Sequence, residues 1–152
     1  MKDQNEIIAE LKGLVSIVND GKEGYKEAAE KVKSMELKAM FMEFSMERST
    51  YEDDLKSHIL QHGGQSSNEE GGFLGTLHRT WIDIKGAIST SEDSAILNTI
   101  ITGEKAAIAK FDEVLKDFET HEDHYALLMR QREGIDNTLT KIEELAMEYD
   151  ED

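Results

Sequence analysis

The chain predicts an all-α four-helix bundle, and three observations carry the prediction. Apolar residues recur at alternating spacings of four and three in two tandem segments of 28 residues, Asn5 to Val32 and Met35 to His62. A second pair of such segments follows residue 91. Proline is absent from the 152 residues, and glycine is dense only across Gly63, Gly64, Gly71, Gly72 and Gly75, so little else interrupts long helices. Hydrophobic residues at 38% and charged residues at 33% suit one bundle domain spanning 1–152. The expected helices cover about 5–32, 35–62, 73–89, 92–118 and 121–148.

The first long helix aligns Ile7, Leu11, Leu14, Val18, Gly21, Tyr25, Ala28 and Val32 on one stripe, the pattern of a helix buried against neighbours. Gly21 and Gly24 each cost about 1 kcal/mol of helix propensity, so they are expected at a kink or a close approach beside Tyr25. Ser34 is placed to cap the second helix, and the short connection forces an antiparallel hairpin. That helix reads Leu37, Phe41, Phe44, Arg48, Tyr51, Leu55, His58 or Ile59, and His62.

Between His62 and Glu92 lie 29 residues, far more than the two to eight that join neighbouring bundle helices. Within them Phe73, Leu77, Trp81, Ile84 and Ile88 mark a short amphipathic helix. A helix of ~16 residues covers about 24 Å, and its flanking loops supply the rest of the ~40 Å length of the bundle. One long crossover of this kind defines the ferritin-like bundle. The third long helix opens at Ser91 and carries Leu97, Ile101, Glu104, Ile108, Phe111, Leu115 and Phe118. The fourth, with Thr120 as its expected cap, carries Leu128, Arg132 or Gln131, Ile135, Leu139, Ile142, Leu145 and Tyr149.

Two charges stand in the apolar seams at mid-length, Arg48 and Glu104. Ferritin-like di-metal proteins place four carboxylates and two histidines at that height, with Glu and His three residues apart on two of the helices. Here Val18, Arg48, Glu104 and Ile135 share it, and Arg, a fixed cation without an acceptor, cannot hold a divalent metal. A buried Arg48–Glu104 ion pair is therefore expected, with Tyr25, Tyr51 or Arg132 as further hydrogen-bond partners and no metal. The rival register rotates the second helix by one position, bringing Glu47 inward. It would offer iron or manganese a set drawn from Asp20, Glu23, Glu27, Glu47 and Glu104, at the cost of moving Phe44 and Tyr51 off the core face. His58 and His62, with His121 and His124, are expected at a common end of the bundle, a second place where a metal or a proton could be held, with Glu122 and Asp123 beside it.

A net charge of −16, with the 17 Lys and Arg residues dispersed, disfavours nucleic acid and anionic membranes. The absence of Cys excludes disulfides and thiolate chemistry. The opening MKDQNEIIAEL has no signal-peptide core and no apolar run approaches ~20 residues, so the expected compartment is the cytoplasm.

Four stretches, NDGKEGYKEAAEKV from Asn19, ELKAMFMEFSMERSTYEDDL from Glu36, GTLHRTWIDIKGAI from Gly75 and GEKAAIAKFDEVL from Gly103, resemble the bacterial ferritin-like proteins grouped as domain of unknown function 2383. The resemblance covers most of residues 5–145. It implies a soluble bacterial bundle without an established activity, in which Arg48 and Glu104 replace metal ligands. Where that family tends to show a His-Asp step the chain has Leu139 and Thr140, so no site is carried over there. The reading is a non-enzymatic, metal-free structural or interaction protein, stress-related roles included, that self-associates through its Met-rich second helix or the crossover helix. A di-iron or other metal-binding protein is the alternative.

Overall fold

The computed structural model describes residues 3–64 and 92–150. Four long helices account for most of them: α1 (Gln4–Lys31), α2 (Met35–Gln61), α3 (Asp93–Leu115) and α4 (Asp123–Asp150). The expected crossover helix over 73–89, and Ser91, lie outside the described residues. Asp3 caps α1 by accepting from Glu6 N at 2.9 Å, and Ser34 Oγ caps α2 by accepting from Leu37 N at 3.2 Å. Gly21 and Gly24 stay helical, so the glycine cost is offset by a close approach within a continuous α1.

Helices α1 and α2 form one hairpin, α3 and α4 another, and contacts at the two ends fix how the hairpins meet. At one end the Asp93 carboxylate accepts from Lys33 N at 2.8 Å and Ser34 N at 3.0 Å, which joins the start of α3 to the α1–α2 turn. The Tyr149 hydroxyl returns α4 to the same turn, 3.0 Å from Ser34 Oγ. At the other end His62 Nε2 lies 2.9 Å from Asp123 Oδ2, so the end of α2 meets the start of α4. The chain therefore leaves α2 at one end and enters α3 at the opposite one. That is the single long crossover of a ferritin-like bundle.

Two apolar clusters fill the interior. One lies toward the α1–α2 turn and includes Tyr25, Val32, Leu37, Phe41, Ile96, Ile100 and Ile142. The other lies toward the crossover end and includes Leu11, Leu14, Val18, Leu55, Ile59, Phe111 and Ile135. Each fully buried Leu, Ile or Phe contributes about 1.5–3 kcal/mol. Arg48 and Glu104 sit at the waist between the clusters.

The second hairpin departs from the expected boundaries. Helix α3 stops at Leu115 and not at 118, and α4 starts at Asp123 and not at 121. Tight i→i+3 bonds, Asp117 N to Val114 O and Phe118 N to Leu115 O, close α3 and turn the Phe118 ring into the core. Thr120 is exposed and caps nothing; Glu122 receives Ala126 N in its place. On α4 it is Gln131 that faces inward, giving its amide to Tyr51 O at 3.1 Å, while Arg132 turns out to Asp112 at 2.8 Å. Among the described residues no helix is long and apolar enough to cross a membrane.

Candidate functional sites at the waist and the crossover end

At the waist the seam positions of α2 and α3 face one another, and the two charged side chains meet. Arg48 is 1% exposed and Glu104 is fully buried. Arg48 Nη1 donates to Glu104 Oε1 at 2.9 Å and Nη2 donates to Oε2, a two-pronged pairing of guanidinium and carboxylate. The Tyr25 hydroxyl donates to Glu104 Oε2 at 2.8 Å, and its ring lies 5.5 Å from the Arg48 guanidinium carbon. Burial alone would lower the Arg48 pKa, but the Glu104 charge and hydrogen bond, with Tyr25 and Glu47, together outweigh it and hold the guanidinium above its ordinary value. Burial, and then the Glu104 charge, push the Tyr25 phenol well above its usual range, so it remains a donor.

Gly21 makes this arrangement sterically feasible. A β-carbon there would lie 2.6 Å from Arg48 Nη1, so the missing side chain on α1 is the space the guanidinium occupies. The sequence expectation of a close approach beside Tyr25 is met by a side chain, not by a second helix backbone.

Tyr51 and Arg132 do not complete the pair. Tyr51 donates to Glu47 Oε1 at 2.8 Å, and Gly134 leaves room for that hydroxyl, since a β-carbon there would sit 1.8 Å from it. Burial and the Glu47 bond raise the Tyr51 pKa. Glu47 is half-buried beside Arg48, so the rotated register with Glu47 inside is not adopted. Asp20, Glu23 and Glu27 lie half-buried along α1. Both oxygens of the Glu104 carboxylate are already bound to a built-in cation, and a di-metal centre of the ferritin type does not fit this donor set.

Among the described residues, the side chains that gather closely enough to share a metal ion lie instead at the crossover end: His58, His62, Asp123 and His124, with one ligand atom from each, all within 4.8 Å of one another. His58 and His62 are four apart on the last turns of α2, which stacks them on one face. Asp123 and His124 open α4. His58 Nε2 and His124 Nδ1 face each other at 2.6 Å. Burial lowers the pKa of both rings, with Asp123 opposing and the neighbouring histidines adding to it. His121 is exposed and stands outside the group, because α4 begins two residues later than its spacing suggests.

The profile described as Domain of unknown function (DUF2383) matches residues 6–117. No curated protein matches the chain. Among solved structures it is similar to a dodecameric thioferritin in the bacterial domain, the bacterioferritin-related protein from Bacteroides fragilis. The TM-score is 0.72 at 17% identity, over 98% of this chain and 90% of that one. At that identity the likeness carries the fold alone. With the profile spanning α1, α2 and α3, the chain belongs to the DUF2383 family and has a ferritin-like four-helix fold.

Proposed function

We propose that this protein is a non-enzymatic ferritin-like bundle, free of metal at its waist, that works as a structural or interaction subunit and assembles with copies of itself. The observation that carries the reading is the two-pronged Arg48–Glu104 pair in the place where bundle oxidases hold their metals. A guanidinium accepts nothing, and the Glu104 carboxylate gives three of its acceptor sites to it and to Tyr25. A fixed cation therefore stands where iron or manganese would need further carboxylates, and the pair instead fixes how α2 and α3 register.

Self-association is supported by the outer face of α2. Met35, Met42, Met46 and Leu60 are 76%, 44%, 68% and 62% exposed, and their spacings of seven, four and fourteen put them within about 40° of one line along the helix. Such a stripe suits a helix that packs on both sides, and Met adapts well to a second surface. The similar thioferritin is dodecameric, which supports assembly of this fold from copies of one chain.

The test combines native mass spectrometry of the full chain with an aerobic Fe(II) oxidation assay. The expected result is a closed homo-oligomer, dissociated by Met42→Glu with Met46→Glu, and iron oxidation no faster than in buffer. Oxidation that exceeds buffer and disappears in Glu104→Gln would overturn the reading and make the protein a di-iron enzyme.

A further inference from the structure

We propose that His58, His62, Asp123 and His124 form a site for one late first-row divalent cation, zinc or cobalt in type, at the crossover end of the bundle. The donor set is three imidazoles and one carboxylate, brought together from α2 and α4 with all ligand atoms within 4.8 Å. A tetrahedral zinc site with bonds of 2.0–2.2 Å spaces its ligand atoms about 3.3–3.5 Å apart. Two of the pairs are shorter than that, His58 with His124 at 2.6 Å and His62 with Asp123 at 2.9 Å, and would open by roughly 0.5–1 Å as their hydrogen bonds give way to the metal. The wider pairs close by roughly 1 Å through rotation of His62 and Asp123, whose side chains are 26% and 60% exposed and free to adjust.

The chemistry between the rings favours a cation. Two imidazole nitrogens at 2.6 Å can hold one proton between them, and the three rings pack with centroids 4.4–4.8 Å apart. A metal ion among them engages the ring lone pairs together, which one shared proton cannot do. The geometry is supported from behind. The Phe118 ring backs His124 at 4.9 Å, and His58 sits in the last turn of α2. Imidazole-rich sites select zinc, cobalt, nickel or copper over calcium and magnesium, which take oxygen. Access is provided by an open cleft of about 430 Å³, lined by Asp54, His58, Gln61, Asp123 and Arg130 among others. This departs from the sequence expectation of a protein without a cofactor, and it does so at a place independent of the waist.

The test is titration of chelator-stripped full-length protein with Zn²⁺ against a chromophoric competitor, and with Co²⁺ by visible absorption. The expected result is one equivalent per chain, with Co²⁺ bands of tetrahedral or five-coordinate intensity. His62→Ala and Asp123→Asn, both at partly exposed positions and so expected to fold, should each weaken binding by more than the ~10–100-fold that loss of an outer-shell partner costs. His121→Ala should leave binding unchanged. Absence of saturable Zn²⁺ and Co²⁺ binding at micromolar protein, binding that survives both His62→Ala and Asp123→Asn, or binding abolished by Glu104→Gln with the histidines intact would each overturn the proposal. In the first case the cluster is a histidine contact that clasps α2 to α4 and nothing more.

Discussion

At the waist of the bundle an arginine and a glutamate on facing helices neutralise each other. At the crossover end three histidines and an aspartate face one another with no lysine or arginine among them. Both regions place polar atoms between packed helices, and both draw on α2. The waist brings its own cation, so its acceptors are filled when the chain folds. The end gathers ring nitrogens and a carboxylate within 4.8 Å of one another without a cation from the chain, so the cation proposed there would come from solution. Capacity for metal in this fold is therefore decided less by how many carboxylates lie inside than by whether the chain already supplies their counter-charge.

Substitutions can break this contrast, and the largest effect should come from the waist. Glu104→Ala leaves a buried guanidinium without its partner and should cost about 3–5 kcal/mol in urea unfolding, whereas Arg48→Met combined with Glu104→Leu should return to within about 1 kcal/mol of wild type or exceed it. A single variant that loses less than 1 kcal/mol would show that the waist is open to water. Next is Gly21→Ala. In an ordinary helix interior it would gain about 1 kcal/mol, but here the new β-carbon meets Arg48 Nη1, and a loss of about 1–3 kcal/mol is expected. In the Arg48→Met background the same change should become favourable, which isolates the steric cause.

Glu52 lies one turn beyond Arg48 toward the crossover end, between Lys22 at 2.8 Å and Lys56 at 2.9 Å. Burial by itself would raise its pKa, and the two lysines outweigh burial and hold it below the usual carboxylate range. A lowered folded pKa gives stability that is present above the unfolded pKa and is lost as the pH falls through the folded one. Glu52→Gln should therefore lose about 1 kcal/mol at pH 7 and flatten the acid limb of a plot of melting temperature against pH below about 5. The smallest effect should be His121→Ala, within about 0.5 kcal/mol of wild type by thermal melt, because its ring is exposed and outside the cluster.

Much of this was legible in the sequence where periodicity governs. The seam residues Leu11, Leu14, Val18, Leu37, Phe41, Leu55, Phe111 and Ile135 are all buried, because a four-three spacing leaves one face to hide. The interval between His62 and Glu92 foretold the crossover, since a bundle has a fixed length. A charge standing in a seam likewise announced Arg48 and Glu104. What periodicity does not encode is where a turn spends its residues. The tight bonds after Leu115 delay α4, which removes His121 from the histidine group, while Asp123, expected beside the group, joins it. Gln131 and Arg132 could not be separated by spacing either, because each lies near the edge of the stripe, and Tyr51 was drawn to Glu47 on its own helix rather than across the bundle.

The Arg48–Glu104 pair also constrains which neighbouring sequences this lineage can reach. A metal-bearing waist would require the arginine to go and carboxylates to arrive, and those changes come one at a time. Whichever partner is lost first strands the other in the interior at a cost of about 3–5 kcal/mol, out of a total stability of about 5–15 kcal/mol for a domain of this kind. The intermediate sequences keep only a thin margin of stability, so new chemistry in this bundle is more accessible at its rim than at its heart.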